Sequence, residues 1–61
     1  MTSANVKAQI RDNGKSNSLA FLADGSLLPI LSVCSSTAEA RVKTSNGTIV
    51  RVPVSDILAV V

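Results

Sequence analysis

The sequence has 61 residues, of which 46% are hydrophobic and only one, Phe21, is aromatic. A single cysteine, Cys34, excludes an intrachain disulfide, and the lack of histidine leaves too few ligands for a structural zinc site. Six basic and four acidic residues give a net charge of +2, which is too small to indicate nucleic-acid binding. A chain of this length forms one domain with a small core, so we expect oligomerisation or docking on a larger assembly to stabilise it.

The N-terminal segment predicts an arm followed by a strand. Residues 1–5 are small and polar without periodicity, and we expect them to form a flexible arm before a single domain over residues 6–61. Val6, Ala8 and Ile10 alternate with polar residues, which is typical of a strand with one solvated face. Residues 12–17 contain no apolar side chain and predict a loop.

Two apolar runs, separated by Asp24-Gly25, predict a first β-hairpin. Pro29 lacks a backbone N–H, which indicates an edge strand or a bulge at that position. A helix over residues 18–33 is the competing interpretation, but Gly25 and Pro29 both oppose it. We therefore expect two short strands joined by a two-residue turn.

The two-residue turn also predicts which side chains share a face. It places Leu22 opposite Leu27 on one face, and four apolar residues on the other face form a candidate interface: Leu19, Phe21, Leu28 and Ile30. With both faces apolar, a chain this small cannot cover both, so one face is a candidate for contact with another chain. We expect Leu22 and Leu27 to be core, although the pattern leaves open which face is buried. The alternative is a barrel closed over itself with its second face partly exposed.

A polar turn over residues 34–37 precedes a second predicted hairpin over residues 38–54. Cys34 follows an apolar run, and we expect it to be a small packed residue that thiol reagents reach slowly. In the hairpin, a three-residue loop over residues 45–47 pairs Val42 with Val50 and keeps each face uniform. This register predicts Gly47 at positive φ.

The same register places Arg41 opposite Arg51, with Lys43 on the same face. These three side chains are a candidate contact for an anion or an acidic partner. The alternative interpretation is a solvated outer face on which Glu39 is a partial counter-charge. Like charges directly opposite each other are mildly destabilising, so either solvent screens them or a partner does.

After the second hairpin, Ser55 or Asp56 can cap a single helical or 3₁₀ turn, and residues 59–61 can form a closing strand. Five or six short strands with tight turns predict an all-β fold, a small five- to six-stranded antiparallel barrel.

The order of these pieces resembles the small barrels of the Sm-like and Tudor-like families. The matching pieces are the hairpin at Asp24-Gly25, a bent strand over residues 29–33, the turn at Asn46-Gly47, a one-turn helical segment over residues 55–58 and a short closing strand. The resemblance implies a Src-homology-3-like or Sm-like barrel, and Sm-like proteins form rings by pairing edge strands.

The resemblance implies no binding residue in this chain. One phenylalanine cannot form the aromatic cage with which Tudor-like domains bind methylated side chains. The Asp and Asn of the first Sm-like motif have no counterpart in residues 32–38, and the later Arg-Gly pair is also absent.

The sequence contains no recognisable catalytic constellation. Without histidine, a serine or cysteine nucleophile lacks its usual base, and the four carboxylates are scattered along the chain. We therefore expect a non-enzymatic structural or assembly module without metal or cofactor. It would pack against copies of itself or a larger particle, for example as a minor virion or capsid-decoration subunit. The alternative is a small nucleic-acid-binding or regulatory barrel that uses Arg41, Lys43 and Arg51.

The expected location follows from what the sequence lacks. The N-terminus has neither the basic start nor the apolar run of a signal peptide, and no segment approaches the roughly 20 apolar residues of a membrane span. We expect the protein in the cytoplasm or in a virion, without a membrane partner.

Overall fold

The computed structural model describes residues 1–14 and 18–61, which form one helix followed by five strands. The helix is α1 (Ser3–Asn13), and the strands are β1 (Ser18–Leu22), β2 (Leu27–Cys34), β3 (Glu39–Lys43), β4 (Ile49–Pro53) and β5 (Ile57–Val60). A 3₁₀ turn, Val54–Asp56, connects β4 to β5. The predicted predominance of β structure is confirmed, with a helix in addition.

The five strands form one antiparallel sheet in the order β4-β3-β2-β1-β5. Strands β1 to β4 are joined as successive hairpins, and β5 returns to pair with the free side of β1. This leaves β4 and β5 as the two edges of an open sheet. The register shifts between Phe21 and Leu22 in the β1–β5 pair, and between Ile30 and Ser32 in the β2–β3 pair. Such bulges bend a strand and increase its local twist.

The strand predicted from Val6, Ala8 and Ile10 is wrong, because these residues lie in α1. The helix begins inside the segment expected to be an arm: the Thr2 hydroxyl caps it by accepting a hydrogen bond from the Asn5 backbone N–H at 3.1 Å. Val6 and Ile10 are four residues apart and therefore share one helical face, which contacts the core.

The C-terminal end of α1 also corrects the predicted loop. Residues 12 and 13 are helical, and Gly14 ends the helix at φ 62°, where its N–H donates to the Arg11 carbonyl at 3.2 Å. The rest of the predicted loop, residues 15–17, lies outside the described residues.

The first hairpin has a different register from the predicted one. Its loop contains three residues, 23–25, because the Leu22 N–H donates to the Ser26 carbonyl at 2.8 Å. Gly25 takes φ 90°, and the Asp24 carboxylate accepts a hydrogen bond from the Ser26 N–H at 2.9 Å. The extra loop residue shifts every pair by one position, so that Phe21 pairs with Leu27.

The shifted register separates the four residues of the candidate interface. Leu28 pairs with Ala20 and Ile30 with Ser18 on the buried face, whereas Leu19 and Phe21 lie on the other face. The predicted grouping is therefore wrong.

The sequence predicts an edge strand or a bulge at Pro29, and Pro29 lies in neither. Pro29 lies in β2, an interior strand, and not at an edge. It immediately precedes Ile30, where the pairing of β2 with β3 reaches its bulge. Pro29 pairs with Leu19 in β1 and has no paired residue in β3, so its missing N–H interrupts no pair on that side.

The second hairpin has the predicted register. Val42 pairs with Val50 and Arg41 with Arg51, and the Thr44 N–H donates to the Thr48 carbonyl at 2.8 Å across a loop of residues 45–47. Gly47 takes φ 88° as expected. The face of β3 and β4 that carries valine and alanine is the buried one.

The predicted turn after β4 is present, but its predicted cap is wrong. The residue that precedes the 3₁₀ turn is Pro53, which forms no side-chain cap, and Ser55 and Asp56 lie within the turn. β5 begins at Ile57, directly after it.

One face of the sheet, here called the core face, packs against α1. Helix α1 contacts β2 and β5. Nine buried hydrophobic side chains form the core: Val6, Ala20, Leu22, Ile30, Ala40, Val42, Val54, Ile57 and Val60. Ser18 is also buried, and its hydroxyl accepts a hydrogen bond from the Asn13 side chain at 3.2 Å. The opposite face, here called the open face, has no helix against it among the described residues.

Candidate functional site

The open face has two chemically different halves. Its apolar half lies on β1 and β2 and consists of Leu19, Phe21, Leu27 and Pro29, which the register places side by side. Its basic half lies on β3 and β4 and consists of Arg41, Lys43 and Arg51. Because side chains alternate along a strand, these residues point away from the core face.

The apolar half exposes large side chains to solvent. Phe21 is 39% exposed and its cross-strand partner Leu27 is 51% exposed. Phe21 is the only aromatic residue of the chain, and the core contains none. Leu19 is half-buried beside the exposed Pro29. The sequence predicted an apolar surface here, but assigned Leu27 to the core.

The basic half places two guanidinium groups on directly paired residues. Arg41 and Arg51 are both exposed, and Lys43 pairs with Ile49 two residues further along. Within the described part of the chain, the only ion pair is Arg11–Asp12, at 3.9 Å. Neither Arg41 nor Arg51 therefore has a carboxylate within salt-bridge distance there.

A cleft of about 350 Å³ lies at the β2–β3 end of the basic half. Six polar side chains line it: Ser32, Cys34, Thr37, Glu39, Arg41 and Arg51. Lys43 is not among its lining residues, so the structure separates it from the two arginines. The sequence grouped Lys43 with them and did not identify Ser32 or Thr37. The alternation that marks Glu39 and Arg41 extends back along β2 through Cys34 and Ser32, and this pattern could have revealed the cleft.

Cys34 is exposed, so the prediction of a packed thiol is wrong. It lies at the end of β2 and pairs with Glu39, which places it on the open face. Hydrogen bonds from the Ser36 hydroxyl, whose oxygen lies 3.1 Å from Sγ, and then from Thr37 lower the pKa of the Cys34 thiol to about 6. At neutral pH the thiol is therefore mostly ionised and accessible.

The turn that supplies these hydrogen bonds is held in an uncommon backbone conformation. Ala38 has φ 54°, the only positive value at a non-glycine residue among those described. Its carbonyl accepts a hydrogen bond from the Val54 N–H at 2.9 Å, which ties the turn to the start of the 3₁₀ turn. On the helix side, Lys7 Nζ donates to the Ser35 hydroxyl at 2.6 Å.

A second, smaller hollow of about 210 Å³ contains the carboxylates of Asp24 and Asp56. Nothing in the sequence groups these two residues, but the Ala23 N–H donates to the Asp56 carbonyl at 2.8 Å and joins the two loops. The Ser26 N–H and hydroxyl lower the pKa of Asp24. Because this carboxylate is held ionised by its own turn, it is a poor candidate for a general acid.

Comparisons with known protein families, with curated proteins and with solved structures find no match to this chain. Over the ranges 1–14 and 18–61, no helix has the length and apolar character needed to cross a bilayer. The same ranges contain no group of three or more side chains placed to hold a metal ion.

Proposed function

We propose that the protein is a non-enzymatic assembly module that packs through the apolar half of its open face. The observation that carries this proposal is the exposed pair of Phe21 and Leu27. Aromatic residues are enriched at the centres of protein interfaces, where burial of their surface contributes strongly to binding. In a chain with one aromatic residue, its position outside the core favours a role in contact over a role in folding.

The size of the core supports the same function. The nine buried hydrophobic residues are all aliphatic, and two of them are alanines. A domain of about 60 residues buries a smaller fraction of its surface than larger domains and is only marginally stable alone. Association through an apolar face adds the buried surface that such a domain lacks.

The partner that we propose is another copy of the chain, either alone or within a larger particle such as a virion. Two edge strands, β4 and β5, present unpaired backbone groups at opposite ends of the sheet. In the Sm-like families that the chain resembles, edge pairing joins copies into rings. We propose the same small-barrel class here, supported by the strand order, by the 3₁₀ turn before β5 and by the two bulges that bend the sheet.

The mass of the purified protein in solution, measured by sedimentation over a range of concentrations, tests the proposal. We expect the mass of the wild type in solution to exceed that of one chain. Phe21→Lys and Leu27→Lys should each reduce this mass while the circular dichroism spectrum keeps its β-sheet signal. Ile49→Lys is the matched control, because Ile49 is 57% exposed but lies in β4 beside Lys43. A wild type that stays monomeric at high concentration would exclude self-assembly, and an equal loss of mass in the Ile49 variant would exclude the apolar half as the interface.

A further inference from the structure

We infer that the cleft beside Arg41 and Arg51 is a binding site for a small phosphoryl-bearing oxyanion. This site is separate from the apolar half through which we propose assembly, and it does not depend on that proposal. Its polar groups come from three neighbouring strands and from the turn between two of them.

The central argument is a row of hydrogen-bond donors across the sheet. Ser32 pairs with Arg41 across β2 and β3, and Arg41 pairs with Arg51 across β3 and β4. Side chains on directly paired residues start about 4.5–5.5 Å apart, so a hydroxyl and two guanidinium groups line one strip of the cleft. Guanidinium presents several N–H donors in a planar fork that matches the oxygens of phosphate.

The electrostatics favour an anion at this row. Two like charges on directly paired residues repel each other, and no carboxylate of the described residues lies within 4 Å of either arginine. An oxyanion between Arg41 and Arg51 removes this repulsion and replaces it with charge-assisted hydrogen bonds. The Thr37 hydroxyl, also in the cleft, is a further donor when it turns toward the ligand.

The cleft also contains two groups that oppose an anion. Cys34 and Glu39 pair with each other on the side of the cleft next to Ser32 and Arg41. Both are acidic, and they limit the affinity for a ligand placed near them. We therefore place the ligand at Arg41 and Arg51, and expect Cys34→Ser, which removes the thiolate, to bind it more tightly than the wild type at neutral pH.

The dimensions of the cleft favour a small ligand over a polymer. A volume of about 350 Å³ lies at the lower end of the range for small-molecule sites. It suits phosphate or a small phosphorylated metabolite. Nucleic acid would need further contacts along its backbone, and the aromatic platforms on which single strands stack are missing from the cleft.

The test measures thermal unfolding in inorganic phosphate and in chloride at matched ionic strength. We expect phosphate to raise the midpoint more than chloride does, because a ligand that binds the folded state stabilises it. Arg41→Gln and Arg51→Gln should each weaken the apparent phosphate affinity by about tenfold or more, as expected for loss of one charged hydrogen-bonding group. Lys43→Gln removes the same charge from the same face but outside the cleft, and should bind phosphate like the wild type.

A second measurement locates the ligand. Because Cys34 lines the same cleft, phosphate should slow its alkylation by a neutral reagent in the wild type, but not in Arg51→Gln. If phosphate and chloride raised the melting midpoint equally, or if Lys43→Gln lost as much phosphate affinity as the arginine variants, the effect would be general charge screening. Either result would overturn the proposed binding site. A short single-stranded oligonucleotide that displaces phosphate and whose binding falls steeply with salt would assign the cleft to nucleic acid and overturn the small-ligand inference.

Discussion

Leu22 and Leu27 flank the same hairpin loop, yet they lie on opposite faces of the sheet. Leu22 is 6% exposed and packs in the core beside Ile57, its partner in β5, whereas Leu27 is 51% exposed. The same substitution, made at Leu22 or at Leu27, therefore tests a buried and an exposed position of the same hairpin.

We expect Leu22→Glu to unfold the domain, since it places a carboxylate among apolar side chains without a partner. Leu27→Glu places the same group in solvent and should leave the β spectrum and the monomer fold intact. Circular dichroism and thermal melts of the two variants, measured in parallel, test the register. Similar melting of both variants would mean that the first hairpin does not have this pairing.

Gly47 gives a test of the second hairpin. Its φ of 88° is unfavourable for side chains, and no atom lies within 4 Å of the position of an added Cβ, so a substitution acts through the backbone alone. Gly47→Val should lower the free energy of unfolding by more than about 1 kcal/mol, and Gly47→Asn by less, because asparagine tolerates this region better. Chemical denaturation of both variants is the measurement. An unchanged denaturation midpoint for Gly47→Val would contradict the turn conformation assigned to Gly47.

Ala38 is the opposite case, a residue with a side chain in a conformation that suits glycine. Its φ is 54°, so Ala38→Gly should stabilise the domain by up to about 1 kcal/mol. Ala23→Gly is the control: Ala23 is also an exposed turn residue but has no positive φ, and glycine there should be neutral or destabilising. If both variants lose stability equally, the strain assigned to Ala38 is absent.

Cys34 should react as a thiolate at neutral pH. With its pKa at about 6, the rate of alkylation in the folded protein should rise as the pH increases through 6 and level off above 7. In denaturant the same rise should occur near pH 8.5, the ordinary range of a cysteine thiol. Ser36→Ala removes the principal hydrogen bond and should move the folded-state profile toward higher pH. Overlapping profiles for folded and denatured protein would contradict the assigned contacts.

The two hairpins show how far the sequence could predict the fold. Both have the same loop, with an Asx residue in the middle and glycine third, at residues 23–25 and 45–47. In the second hairpin, charged and apolar residues alternate, so only one of the two registers pairs Val42 with Val50 and Arg41 with Arg51 and keeps each face uniform. In the first hairpin both faces are apolar, and no penalty distinguishes the two registers. The sequence therefore predicts the common two-residue Asp-Gly turn, whereas the hairpin has a three-residue loop.

The helix and the cleft were missed for different reasons. Val6, Ala8 and Ile10 fit an alternation of two, but Val6 and Ile10 also fit a helical spacing of four, and short apolar patterns do not distinguish these periods. Thr2 before the segment is a helix-start residue and Gly14 after it a helix-stop residue, and together they favour the helical period over the strand period. The cleft depends on Ser32 meeting Arg41 across β2 and β3. The alternation through Ser32 and Cys34 is visible in the sequence, but the bulge that sets this pairing is not.

The pairing of β5 with β1 has a consequence for how the chain folds. The hairpins from β1 to β4 join segments that are close along the chain, but β5 and its partner β1 are separated in the sequence by three intervening strands. Bringing such distant segments together carries a larger entropic cost and slows folding. Until β5 docks, β1 has an unpaired edge, and Leu22 lacks its neighbour Ile57. This interval is when a nascent or refolding chain is most exposed to misassociation with other chains.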